Sequence, residues 1–282
     1  MSDLQFVDQH NMVACSERTD GNDEFHQIVD FLTSSTIHYA LTISTTIYAS
    51  YIEQFWATAK SKTVNNVKQI HAKVDGKTVV ISESSVRSDL YFNDEDGITC
   101  LSNDEIFKNL ALMGYERVST KLTLQKAFFS HQWKYLIHTI LHFLSSKSTA
   151  WNEFSTNLAS SVICLAKRNF FNFYKLIFDG MLRNLDHTSK KLLMYPRFLQ
   201  LFMNNQIALE EPFNDVNFTP THTKKVFTNM KQQNKDFSGT VALLFDTMLV
   251  PPVVEGEGLG QPSKPQPPSS TTPPEQVLAV VS

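Results

Sequence analysis

The chain has 282 residues, of which 42% are hydrophobic, with 25 Lys/Arg against 28 Asp/Glu for a net charge of −3. That is enough chain for one large domain or two small ones around a sizeable core. Cys15, Cys100 and Cys164 are odd in number, far apart and outside any CxxC pair, so no disulfide framework is expected and a reducing compartment, cytosol or nucleus, fits.

The opening twenty residues, MSDLQFVDQHNMVACSERTD, lack the apolar core of a secretory signal. No run of about 18 apolar residues occurs, so no transmembrane helix is expected. The charge is unevenly spread. Residues 1–110 carry a net −8 and residues 111–250 a net +7. Either two faces of one domain attract each other, or the middle of the chain meets an acidic partner.

Residues 1–21 read as a flexible N-terminus. Residues 22–32, NDEFHQIVDFL, open with polar caps and place Phe25, Ile28, Val29 and Leu32 on one helix face. Residues 46–60, TIYASYIEQFWATAK, repeat Ile47, Tyr48, Tyr51, Ile52, Phe55, Trp56 and Ala59 at helical spacing, a buried stripe. Residues 67–82, VKQIHAKVDGKTVVIS, alternate on either side of Asp75-Gly76 and predict one small β-hairpin. Ser82 begins a helix through Leu90. Ser102 and Glu105 form a capping box for a helix that closes at Gly114.

From residue 123 to 206 the pattern is almost wholly helical, and no proline precedes residue 195 to interrupt it. A further amphipathic helix is expected over residues 221–233. Residues 251–282 hold eight of the eleven prolines and no aromatic residue, and predict a disordered tail. The expected fold is mainly α: one multi-helix globular domain over 22–250 with one small β-hairpin at about 67–82.

Catalytic signatures are incomplete. Gly76-Lys77-Thr78 resembles the end of a phosphate-binding loop, but His71 stands where that loop needs its first Gly, and strand-like residues follow. Asp246-Thr247 is followed by Met248 rather than the Gly of an aspartic-protease turn. No G-x-S-x-G or G-x-G-x-x-G stands in a strand-to-helix context. No catalytic residue and no cofactor is nominated.

Two clusters remain as candidate sites. In HQWKYLIHTILHFLSS, His138 and His142 are four residues apart on one predicted helix, the spacing of two ligands to one metal ion. Thr139 occupies the place of a zinc protease's general base, and no third ligand is nominated. Trp133, Leu136, Ile137, Ile140, Leu141 and Leu144 fill most of the circumference, so the stretch reads as a core helix with the histidines on a half-buried strip. Separately, Lys167, Arg168 and Lys175 interleave with Phe170, Phe171, Phe173 and Tyr174, as in a base-stacking platform, and Lys190 and Lys191 add charge. Phe170, Phe173, Tyr174 and Ile177 equally fit a helix core stripe.

The blocks FWATA (residues 55–59), HTIL (138–141) and MYPRF (194–198), with DEFHQIVDFLTSSTIHYALT, ISESSVRSDL and HTKKVFTNM, resemble a group of plant transposon-associated proteins that often accompany copia-type retroelement polyproteins. The likeness runs from about residue 22 to 250. It implies a non-enzymatic protein of retrotransposon origin, working through self-association or other element-encoded proteins, and carries over no catalytic residue. An accessory nucleic-acid-binding role is the alternative. Members of the group also carry synaptobrevin/longin-like and xylulose kinase names. A longin unit needs a five-stranded sheet, a synaptobrevin needs a heptad helix with a membrane anchor, and a sugar kinase needs phosphate loops. None of these is read in this sequence.

Overall fold

The computed structural model describes residues 5–6, 13–14, 18, 20–115, 129–145, 155–187, 191–210 and 242–249. The chain divides into units 1–250 and 251–282, and the second, with its expected disorder, lies outside the described residues. So do the helices expected near residue 123 and over 221–233.

Nine α-helices form among the described residues, 54% of which are helical. A 3-10 turn, Asp23–Phe25, leads into α1 (His26–Thr33), which buries Ile28, Val29, Phe31 and Leu32. Short α2 (His38–Thr42) follows. Then α3 (Ala49–Thr58) turns Tyr51, Ile52, Phe55 and Trp56 inward, as the helical spacing requires.

Where one hairpin is expected, three strands form. β2 (Lys60–Val64), β3 (Val67–Val74) and β4 (Lys77–Ser82) make an antiparallel meander in that order. The β3–β4 turn is the predicted Asp75-Gly76, with φ of 50° and 71°. The β2–β3 turn is Asn65-Asn66, both in the left-handed region at 50° and 63°. The described residues thus form helices with a small three-stranded antiparallel sheet, a mixed fold where the sequence pattern predicts a mainly α one with a single hairpin. β1 (Gln5–Phe6) also pairs in parallel with β5 (Leu192–Leu193). The N-terminal segment expected to be flexible is therefore tied in at several points: β1 by this pairing, Ala14 by its N–H to the Leu41 carbonyl at 3.0 Å, and Arg18 by an ion pair with Asp30.

One face of the meander is core. Ile70, Ala72 and Val74 of β3 are buried toward α3, and Val79 and Ile81 of β4 are buried on the side of the helices Glu83–Asp89 and Pro196–Gln206, with alternate residues turned to the other face. α4 (Glu83–Asp89) and α5 (Asn103–Leu112) begin at capping boxes on Ser82/Ser85 and Ser102/Glu105.

α6 (His131–Leu144), α7 (Thr156–Ala166), α8 (Phe173–Asp186) and α9 (Pro196–Gln206) complete the core. α6 packs against α2, α7 and α8 and is buried on nearly every side. The start of α9 is fixed by Tyr195 in the left-handed region (φ 51°) and by Pro196 in the first turn, where its missing N–H costs nothing.

Segment 194–198 links distant parts of this core. The Trp56 indole N–H donates to the Met194 carbonyl at 3.3 Å. The Tyr195 hydroxyl donates to the Leu144 carbonyl, at the end of α6, at 3.1 Å. Arg197 Nη1 donates to the Ile43 carbonyl, just past α2, at 2.8 Å. Each contact pairs the backbone oxygen of a buried residue.

Candidate functional site

The histidine pair sits inside α6. His138 is only 4% exposed and His142 is half-buried. Their ring centroids are 3.8 Å apart with a 41° tilt, so the two imidazoles meet mainly through their faces. A shared metal ion needs the ring edges to converge on one point about 2.0–2.1 Å from each nitrogen. His131 does not join them, because its ring packs edge-on against Phe25 at 5.3 Å. No group of three or more His, Cys, Asp or Glu that could hold a metal is found among the described residues. Thr139 is turned back on its own helix, its hydroxyl donating to the Tyr135 carbonyl at 2.9 Å.

The possible nucleophiles are held in the same structural way. Burial, with Glu105 nearby, pushes the Cys164 thiol up to about 11, so it stays protonated and unreactive at neutral pH. Ser160 donates to the Thr156 carbonyl at 2.8 Å and accepts from the Leu101 N–H at 2.9 Å.

The basic-aromatic stretch does not assemble as a platform. Helix α7 ends at Lys167, and Arg168 enters the left-handed region (φ 54°). Phe170 is consequently 56% exposed, whereas the stripe reading places it in the core. Phe171, Phe173, Ile177 and Phe178 are the buried residues here. Arg168 Nε donates to the Thr247 carbonyl at 2.6 Å, and its guanidinium lies over the Phe31 ring. Lys175 pairs with Glu83 at 3.3 Å, beside a recess of about 160 Å³ that also holds Asn157, Asn172, Asp179 and Arg183. Lys191 Nζ lies within hydrogen-bonding reach of the Trp56 and Ala59 carbonyls at the end of α3. Lys190 lies outside the described residues. Of the five nominated cations, Lys167 is exposed at the C-cap of α7, while Arg168, Lys175 and Lys191 are engaged within the fold.

The structure assembles a different basic group. Pairing sets Lys60 opposite His71, Lys62 opposite Gln69, and Lys73 opposite Thr78. The period-2 pleat turns all of them to the outer face of the meander. Lys60, Lys62, His71, Lys73 and Thr78 line a concavity of about 630 Å³ with Ala57, Thr58 and Ala72, where α3 runs into β2. No carboxylate lines it. Residues 57–82 carry five lysines and one acid, inside residues 1–110, whose net charge is −8. The Lys-x-Lys of β2 is visible in the sequence, but its convergence with Lys73 needs the strand register.

No family profile, curated protein or solved structure matches the chain. No helix among the described residues is long and apolar enough to cross a membrane.

Proposed function

We propose that this chain is a non-enzymatic protein of retrotransposon origin, acting as an interaction or assembly module in the cytoplasm or nucleus. One observation carries the reading. The blocks that bear the resemblance are packed on one another as core rather than gathered around a cleft. Trp56 of the first meets Met194 of the third, and Tyr195 of the third meets the end of α6, which holds the second. Blocks that serve the core leave interaction to the surface, which supports a scaffold role. The longin alternative would need a five-stranded sheet, and the largest sheet among the described residues has three strands.

The test is to co-express the full chain with the reverse transcriptase and integrase of a neighbouring element. Masses of the purified species are then measured by light scattering. A stoichiometric self-assembly or a complex with either protein is expected. A monomer that joins neither, or turnover of a substrate abolished by one pocket substitution, contradicts the reading.

A further inference from the structure

We propose that the outer face of the meander binds the phosphate backbone of a single-stranded nucleic acid, with Lys60, Lys62 and Lys73 as the contacting cations. This goes beyond the assembly reading and does not depend on it.

Charge is the first argument. Three lysines and His71 converge on a concavity that no carboxylate lines. Among the described residues neither Lys60 nor Lys62 has an ion-pair partner, while Lys77, at the start of β4, leans toward Asp75 at 3.9 Å. The lysines are spaced two residues apart along β2, about 7 Å, and continue across the sheet to Lys73. A repeating anion matches a repeating row of cations, and each phosphate neutralised releases counterions.

Edge protection is the competing explanation for lysine on an outer strand. It accounts for Lys60 and Lys62, because β2 pairs on one side only among the described residues. It does not account for His71, which lies on the central strand and is paired on both sides, nor for Lys73 on the same strand, whose backbone pairs with β4 on one side and bonds the Thr58 hydroxyl on the other. There the Lys73 ammonium is held by the Thr78 hydroxyl at 2.7 Å, and His71 lies 2.9 Å from the Gln69 carboxamide oxygen. These contacts orient the groups over the concavity.

The floor favours nucleic acid over an acidic peptide. None of the residues that line it carries a large apolar side chain. Peptide recognition draws its affinity from buried anchors, and this floor has no seat for one. No aromatic residue lines it for base stacking, so recognition is of backbone charge and independent of sequence.

The experiment is fluorescence anisotropy of a labelled oligothymidylate with the full chain, across a salt series. Proteins compared are the wild type, the triple variant Lys60→Gln/Lys62→Gln/Lys73→Gln, and a control, Lys68→Gln/Lys77→Gln. Both control lysines lie on the opposite side of the pleat. Thermal unfolding verifies that each variant is folded. The wild type is expected to bind at low salt. The triple variant should bind at least tenfold more weakly, with a salt slope smaller by about 2, at about 0.7 per phosphate. The control should stay within about threefold of wild type, given screening over a Debye length of about 10 Å. Absence of binding, a triple variant that binds like wild type, or a control that loses as much per charge each overturns the site. Equal competition by polyglutamate of matched charge overturns it in favour of an acidic polypeptide.

Discussion

Arg197 Nη1 donates to the carbonyl of Ile43 at 2.8 Å across 154 residues of chain, and its guanidinium is buried over the rings of Phe143 and Phe198 at 5.9 and 5.2 Å. Burial alone brings its pKa down to about 9. No ion pair with a carboxylate offsets that cost among the described residues. The planar cation instead exchanges water for carbonyl oxygen and ring faces, which an ammonium does poorly. Arg197→Lys should therefore destabilise by about 1–3 kcal/mol, lowering Tm by roughly 2–4 °C per kcal/mol for a chain of this size. Thermal unfolding of the two proteins checks it. An unchanged midpoint means that the charge, and not the fork and its stacking, is what this position needs.

Asp94 gives a pH dependence of definite sign. Its Oδ2 accepts from the Phe173 N–H at 2.7 Å, the first backbone donor of α8. Burial raises its pKa over the opposing effect of that bond and of Arg87. The folded chain thus holds a proton that the unfolded chain has already released just above the ordinary aspartate range. The contribution of Asp94 to stability is largest below that range and falls as pH rises through the raised value. Asp94→Asn keeps an acceptor for Phe173 without the charge. Urea midpoints from about pH 4 to pH 7 should show the variant gaining on wild type as pH increases. A difference that is flat, or that falls with pH, contradicts the burial account.

The second hairpin turn makes a backbone prediction. Asn66 holds φ at 63°, where a β-branched side chain collides with its own backbone. Asn66→Val should destabilise by about 1–2 kcal/mol, and Asn66→Gly should be neutral or slightly stabilising. Chemical unfolding of the pair checks this. Equal losses in both would show that the asparagine side chain, and not φ, holds the turn.

What was legible in the sequence follows from where each signal resides. The capping box of Ser102 and Glu105 and the Asp75-Gly76 turn are local, so they can be read from neighbours. Strand β2 could not be read in that way. All five residues of KSKTV are exposed, so no apolar alternation marks them, and Asn65-Asn66 lacks the glycine that advertises a tight turn. The lysine face depends on register, a long-range property. Phe170 departs from the helical stripe because Arg168 leaves helical backbone directly after α7, which periodicity does not reveal. The histidine spacing was legible, but the contact of the two ring faces depends on how α6 packs.

The central claim is that the recognisable blocks, HTILH among them, serve the core and not chemistry. Calorimetric titration of zinc into the full chain and into His138→Gln/His142→Gln tests it most directly. The account predicts that the two proteins take up zinc alike, with no saturable site lost in the variant. One equivalent bound by the wild type and absent from the variant would contradict it.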